Sequence, residues 1–149
     1  MGDGPFRLER PARTIASMHS DSGRSGPLRV VLVDADERVR ESLAGLLCIG
    51  DQLCVVGSAG QPGPAIDLVL ATEPDIVVVD PRFPEPDACL SFIQRLRALA
   101  PGVRILVVSG TDPSEQADLV ESADGFIRKT FRPSDLVAAV IAAAVPLAG

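Results

Sequence analysis

The chain has 149 residues, of which 46% are hydrophobic, and a net charge of −6 at pH 7. This length fits one domain with a sizeable core. The acidic balance argues against a nucleic-acid interface, which would need clustered lysine and arginine. The longest apolar stretch, 136–144, is far shorter than a membrane span, and no signal sequence opens the chain. We therefore expect a cytoplasmic protein that binds neither nucleic acid nor membranes.

Residues 1–27 are predicted to be a disordered N-terminal extension. They are rich in Gly, Ser, Arg and Pro and show no hydrophobic periodicity. Such a segment cannot bury enough apolar surface to offset the entropy that ordering removes. Either Met1 or Met18 could be the native first residue.

Strand and helix patterns alternate over residues 28–145, the predicted folded domain, and residues 146–149 are predicted to be a C-terminal tail. Apolar runs without alternation indicate buried parallel strands, and they cover 29–33, 53–57, 76–79, 104–108 and 125–128. Apolar residues at helical spacing predict helices over 37–47, 64–71, 88–100, 114–121 and 133–144. Five βα units with short connections predict an α/β fold whose parallel sheet is covered by helices on both faces.

Helix starts are also predicted from the sequence. Pro64 suits the first turn of the second helix. Asp87 is the predicted N-cap of the third helix, and Asp112 or Thr111 that of the fourth, because short polar side chains can accept a bond from the first free amides.

The cysteines and the histidine do not predict a metal or disulfide framework. Cys48, Cys54 and Cys89 form no close pair and have no ligand spacing, and the single histidine, His19, lies in the N-terminal extension. We expect no disulfide and no zinc site. The three cysteines are instead predicted to be small buried apolar residues.

Polar residues follow four of the predicted strands. Asp34 and Asp80 end the first and third strands, and Ser109 and Lys129 end the fourth and fifth. The ligand site of an open α/β sheet lies beyond the carboxyl ends of its strands, so these side chains should meet there. Taken singly, each has an ordinary structural interpretation as a cap, turn or solvated charge. However, Lys129 is the only lysine among fourteen basic residues, and an ammonium and a guanidinium are not interchangeable partners.

Four stretches, 29–43, 74–84, 103–110 and 123–129, resemble the receiver domain of two-component response regulators, the CheY-like superfamily. The resemblance covers about residues 28–145. It implies a flavodoxin-like (βα)5 fold with a doubly wound, parallel five-stranded sheet in the order 2-1-3-4-5. It also implies a signalling module rather than an enzyme, whose partner is a sensor histidine kinase or a phosphotransfer protein.

The resemblance implies a role for each residue at the predicted edge. Asp80 matches the phosphoacceptor of a phosphorelay, a carboxylate that attacks phosphorus and becomes an aspartyl phosphate. Lys129 matches the lysine that pairs with a phosphoryl oxygen, and Ser109 the hydroxyl that turns inward to bond the phosphoryl group. Phe126 matches the aromatic switch, whose rotamer follows that turn.

Mg²⁺ is the implied cofactor, and its candidate ligands are Asp34, Asp36, Asp80 and the backbone carbonyl of Arg82. The family normally has two adjacent acids after the first strand, but the second position here is Ala35, which has no side-chain oxygen. Asp36 could rotate in, or Asp34 could ligate directly or through water. With one carboxylate fewer, we expect a weakened or absent site.

Two further departures leave a second function open. The loop after Asp80 contains three prolines, and Glu85 and Ala88 replace its usual glycines. The interval from Ser109 to Lys129 is also shorter than usual, which must shorten helix 4 or the loop before it. The alternative is therefore a pseudo-receiver, a protein-interaction module that works without phosphorylation.

The output of the chain is the least defined part of the prediction. The resemblance implies a downstream protein that docks on the helix 4–strand 5–helix 5 face, and the Ala-rich outer surface of helix 5 could support a homodimer. Either a lone receiver or an excised domain is expected, because 146–149 leaves no room for an effector. An enzyme is disfavoured because no phosphate-binding glycine loop and no G-x-S-x-G motif are present.

Overall fold

The computed structural model describes residues 26–129 and 132–145. The predicted tail at 146–149 lies outside the described residues. So do the first 25 residues of the predicted extension, with Met18 and His19. No helix within the described part of the chain is long and apolar enough to cross a bilayer.

Five parallel strands form one sheet in the order β2-β1-β3-β4-β5, which confirms the predicted fold and strand order. The strands are β1 Leu28–Val33, β2 Leu53–Ala59, β3 Ile76–Val79, β4 Arg104–Ser109 and β5 Gly125–Arg128. The second strand extends two residues beyond its predicted end, because its pairing with β1 continues to Ala59. The register of this pairing shifts between Val30 and Val31, where β2 has a bulge. All four residues of β3 are buried, as expected for a central parallel strand.

Helices cover both faces of this sheet. They are α1 Glu37–Leu47, α2 Pro62–Thr72, α3 Cys89–Leu99, α4 Ala117–Ser122 and α5 Pro133–Ala144, and a 3-10 turn, Pro113–Gln116, precedes α4. The apolar residues of α1 and α5 pack on one face of the sheet, and those of α2, α3 and α4 pack on the other. The fourth helix has only six residues. This agrees with the prediction that the short interval between Ser109 and Lys129 shortens this helix or the loop before it.

Three helices start at other residues than predicted. The second begins at Pro62 rather than at residue 64, and Pro64 lies in its first turn as predicted. The third begins at Cys89 rather than at residue 88, and the fourth begins at Ala117 rather than at residue 114, after the 3-10 turn. The prediction that Asp87 caps α3 is wrong, because Ala88 is the N-cap and no side chain bonds the free amides there. Asp112 does cap the 3-10 turn, since its carboxylate accepts a 2.9 Å bond from the Ser114 amide.

The prediction that all three cysteines are buried is wrong for two of them. Cys89 is buried, but Cys48 and Cys54 are exposed. Cys48 is the C-cap of α1, and Cys54 lies on β2, the strand at one edge of the sheet that the described residues form. Position at a helix end and at a sheet edge therefore decides the exposure of these two residues more than their apolar character does.

The accessibility of the thiols gives a direct test of this arrangement. Burial and the negative charge of Asp80 raise the pKa of Cys89 to about 12, so its thiol should be both shielded and protonated. We expect a thiol reagent to modify two cysteines in the native protein, and the third only in denaturant. Counting modified thiols by intact mass measures this, and rapid modification of Cys89 in the folded state would contradict the structure.

The start of β5 is fixed by the partly buried carboxylate of Asp124. Its Oδ2 atom accepts a 2.8 Å bond from the Ile105 amide and a 3.0 Å bond from Nη2 of Arg97. Nη1 of Arg104 lies 3.4 Å from the other carboxylate oxygen. Because hydrogen-bonded charges of this kind hold neighbouring elements in place, Asp124 ties α3 and β4 to the strand that ends at Lys129.

Candidate functional site at the carboxyl edge of the sheet

Asp80 is held at the end of β3 by contacts on both of its carboxylate oxygens. Its amide donates a 3.1 Å bond to the carbonyl of Val33, which continues the pairing of β3 with β1. Nζ of Lys129 donates a 2.6 Å bond to Oδ2, and the Arg82 amide donates a 2.7 Å bond to Oδ1. The carboxylate is only 8% exposed, whereas Lys129 is 29% exposed. The bond between Lys129 and Asp80 is therefore short and charge-assisted. Because Lys129 is partly exposed, a ligand can still reach this pair beside the lysine.

Asp34 faces Asp80 from the end of β1 and is almost fully buried. Burial raises the pKa of Asp34 above its ordinary value; the bond from the Asp36 amide lowers it, and the negative charge of Asp80 raises it further. The Asp36 amide donates to Oδ1 of Asp34 at 2.8 Å. Two carboxylates and one ammonium thus share the edge, and the exposed guanidinium of Arg82 is a further cation near Asp80.

Replacing Asp34 with asparagine should stabilise the protein at neutral pH by about 1 kcal/mol, the usual size for one substitution. Asparagine keeps an oxygen for the Asp36 amide but removes the charge that faces Asp80. Because the pKa of Asp34 is raised in the folded state, the stability that it contributes is present at acidic pH and is lost as pH rises through that pKa. Urea unfolding at acidic and neutral pH measures the effect, with the exposed Asp51→Asn as control. An equal difference at both pH values would contradict this account.

Arg40 holds the backbone of Asp34 and passes close to Gly60, and this arrangement was not identified from the sequence. Nη1 of Arg40 donates a 2.6 Å bond to the Asp34 carbonyl. A Cβ atom at residue 60 would lie 2.6 Å from the same nitrogen, so a larger residue there would make the end of the Arg40 side chain shift. An arginine on a helix and a glycine in a loop are too common to signal such a contact.

The backbone of Ser109 is bonded to Lys129, whereas its side chain is bonded to Gln116 and not to Asp80. Its carbonyl accepts a 2.7 Å bond from the Lys129 amide, which sets the ends of β4 and β5 side by side. Its hydroxyl is completely buried and donates a 2.9 Å bond to Oε1 of Gln116. The same oxygen accepts a 3.0 Å bond from the Thr111 amide. Gln116 was not identified from the sequence, because a glutamine near a helix start carries no signal.

Phe126 and Phe83 lie on β5 and on the loop after Asp80, next to the strand ends that form this arrangement. Phe126 lies on β5 opposite Val107 and is partly buried against the cluster that α2, α3 and α4 cover. Phe83 is buried and packs edge to face on Phe92, with ring centroids 4.9 Å apart. This contact anchors the proline-rich loop to α3. The amide of Phe83 also donates to the Asp80 carbonyl at 2.9 Å.

Of the predicted metal ligands, Asp36 has its carboxylate engaged elsewhere. The carboxylate of Asp36 is exposed and accepts a 2.8 Å bond from the Arg38 amide, so it caps α1. Among residues 26–129 and 132–145, no three His, Cys, Asp or Glu side chains form a group that could hold a metal ion. The pair of Asp34 and Asp80 nevertheless fits Mg²⁺, which commonly uses one or two carboxylates and fills its other positions with water and phosphate oxygens.

A cavity of about 220 Å³ is lined by Lys129, the partner of Asp80, and by residues of the neighbouring loops. Its lining combines an ammonium, a guanidinium, two hydroxyls and a backbone turn, which are groups that bind anionic oxygens. The lining residues are Pro81, Arg82, Ser109, Gly110, Thr111, Gln116 and Lys129. The guanidinium of Arg82 is exposed and lies 3.7 Å from Asp80, so it contributes little to holding that carboxylate.

Comparison with known proteins shows to which family the domain that contains this site is similar. The model of the response regulator receiver domain matches residues 30–141. The DNA-binding transcriptional activator DevR/DosR of Mycobacterium tuberculosis is 31% identical over 115 residues, which cover 76% of this chain and 52% of that protein. A protein-glutamate methylesterase/protein-glutamine glutaminase of Anaeromyxobacter dehalogenans is 31% identical over 103 residues, or 66% of this chain and 28% of that protein. This chain therefore spans only about half or less of the length of these relatives.

Solved structures agree with the sequence relatives. The crystal structure of a two-component response regulator of the LuxR family from Aurantimonas sp. SI85-9A1 superposes with a TM-score of 0.71 at 30% identity. The match covers 79% of this chain and 85% of that one. The signal receiver domain of NarL from Mycobacterium tuberculosis has a TM-score of 0.72 at 28% identity, over 80% of this chain and 98% of that one.

Proposed function

Because this chain belongs to the response regulator receiver domain family, a family of signalling proteins rather than enzymes, we propose that it accepts a phosphoryl group on Asp80. The donor is a phosphohistidine of a sensor histidine kinase or phosphotransfer protein. The observation that carries the proposal is the position of the Asp80 carboxylate, buried yet bonded at 2.6 Å to the only lysine of the chain. That contact supports the proposal, because a phosphoryl group on Asp80 would need a cation close to its oxygens.

The proposed reaction forms one bond and breaks another. Oδ2 of Asp80 attacks phosphorus, the phosphorus–nitrogen bond of the phosphohistidine breaks, and the bonding pair leaves with the imidazole, which takes up a proton. The product is an acyl phosphate on Asp80. Oδ2 is the better placed oxygen, because its partner is the mobile Lys129 side chain, whereas Oδ1 is held by the backbone amide of Arg82.

Lys129 then moves from the carboxylate to the new phosphoryl oxygens. Its ammonium has three rotatable donors and is partly exposed, so it can follow the charge over a short distance. Asp34 and Asp80, with the carbonyl of Arg82, would hold Mg²⁺, and Asp36 would first have to leave its position as the cap of α1. When bound, Mg²⁺ would neutralise charge on the phosphoryl oxygens.

Intact mass after incubation with a small phosphodonor and Mg²⁺ tests the proposal. We expect wild type to gain the mass of one phosphoryl group and Asp80→Asn to gain none. The conservative variant keeps an oxygen for the Arg82 amide but removes the nucleophile. No gain by wild type at any Mg²⁺ concentration, with Asp80→Asn indistinguishable, would overturn it.

A pseudo-receiver is the second candidate function, and the capping role of Asp36 favours it. With Ala35 next to Asp34 and Asp36 committed to α1, the edge offers fewer metal ligands than the family normally has. Such a module would bind its partner without phosphate or Mg²⁺. Mg²⁺ binding at ordinary millimolar affinity would count against it.

The proposed partners follow the family. A downstream protein is proposed to dock on the face formed by α4, β5 and α5. A homodimer through the outer surface of α5, and a cytoplasmic location, stay predictions. Size-exclusion chromatography with light scattering, with and without a phosphodonor, tests the homodimer.

A further inference from the structure

The hydroxyl of Ser109 has all of its hydrogen-bonding capacity in use. It is completely buried, and its oxygen accepts from the Thr111 amide at 3.0 Å. The Thr111 hydroxyl lies 3.0 Å away, and Oε1 of Gln116 lies 2.9 Å away. A hydroxyl has one proton and an amide oxygen can only accept, so that proton lies in the bond to Gln116 and Thr111 donates to Ser109. Ser109 therefore has nothing left to offer a phosphoryl oxygen on Asp80.

Gln116 is placed to act as the competitor for that proton. It is the last residue of the 3-10 turn and the N-cap of α4, yet its side chain makes no capping bond. Its side chain reaches back to Ser109 instead, and both residues line the same cavity as Lys129. Side chain and backbone of Gln116 thus connect the candidate site with the start of α4.

A phosphoryl group on Asp80 would compete with Gln116 for the hydroxyl proton of Ser109. Its oxygens are anionic, and a hydrogen bond to an ionised acceptor is about twice as strong as one to a neutral amide. The Ser109 proton should then turn toward the phosphoryl group. Gln116 is partly exposed, so water can replace the bond that its amide oxygen loses.

We propose that Gln116 is a positioning residue that holds the Ser109 hydroxyl away from Asp80 and releases it on phosphorylation. The inference rests on the proposed phosphorylation of Asp80. Gln116 opposes the reaction in this arrangement, because the bond to Ser109 must break before the phosphoryl group gains its hydroxyl donor. The release of Gln116 would also alter the contacts of the residue that caps α4.

The test compares variants of the full chain in the same phosphodonor assay. Gln116→Met has a similar length but no acceptor, and we expect acyl phosphate to form about three- to tenfold faster, the worth of one hydrogen bond. Gln116→Glu should slow the reaction, because its carboxylate holds the proton more strongly. Ser109→Ala removes the donor, and in that background Gln116→Met should have no effect.

The outcomes separate this inference from the proposed function. No mass gain in any variant, including wild type, would overturn both. Mass gain in wild type with Gln116→Met at the same rate would overturn only the role of Gln116. A Gln116→Met effect that persists in Ser109→Ala would also overturn it, since the coupling would then not pass through the hydroxyl. Far-UV circular dichroism checks folding, and Gln116→Ala is the second variant if Gln116→Met fails to fold.

Discussion

Replacing Lys129 with alanine should lower the rate of acyl-phosphate formation about a hundredfold, the usual cost of losing one charge-stabilising donor at a reacting group. The lysine bonds Asp80 at 2.6 Å and is the cation that would meet the phosphoryl oxygens. Without it, Asp34 and Asp80 would face each other at the edge with no ammonium between them, and an approaching anion would be repelled. Mass spectrometry over a time course with a small phosphodonor measures the rate.

The neighbouring residue provides the matched control. Arg128 precedes the lysine, is exposed, and lies 3.9 Å from Asp112, away from Asp80. We expect Arg128→Ala to react like wild type. Lys129→Arg should recover only part of the rate, because a planar guanidinium cannot reproduce the contact of a compact ammonium. An unchanged rate in Lys129→Ala would show that the lysine only balances charge in the folded state.

Introducing a carboxylate at position 35 should raise the affinity for Mg²⁺ about tenfold, since ligand charge is a main determinant of hard-cation binding. Ala35 directly follows Asp34, and its side chain is exposed, so aspartate can be accommodated without disturbing the core. Isothermal titration calorimetry of Ala35→Asp measures the gain. Intrinsic tryptophan or tyrosine fluorescence cannot be used, because the chain contains neither residue.

Ala35→Asn separates charge from size in this experiment. Asparagine matches aspartate in shape and adds a carbonyl oxygen, but it carries no charge. We expect it to bind Mg²⁺ close to the wild-type level. Equal affinities for wild type and Ala35→Asp would mean that Asp34 and Asp80 already provide all the carboxylate ligation that the site uses.

Much of the fold was predictable because buried strands and helices require apolar residues in characteristic patterns along the sequence. The apolar runs before Asp34, Asp80 and Ser109 are strands whose two faces are covered by helices, and the bounds of β3, β5, α1 and α5 are as predicted. The contact between Asp80 and Lys129 follows from the same logic, because parallel strands end at a common edge.

What could not be predicted depends on contacts between distant side chains. Gln116 reaches Ser109, and Arg40 passes over Gly60, only once the loops have their three-dimensional course. Cys54 is exposed because β2 is at the edge of the sheet, and composition does not reveal which strand has a neighbour missing. Helix starts were least reliable where no side chain caps, as at Ala88.

The two edge strands also bear on how this domain can associate with itself. β2 is bulged where its register shifts against β1, and β5 is four residues long and ends at the exposed Arg128, next to Lys129. A bulge, a short length and terminal charges all make a strand a poor template for adding another chain's strand. Copies of this domain that meet in solution should therefore contact each other through helices. Pairing of strands between copies is disfavoured at both edge strands, β2 and β5.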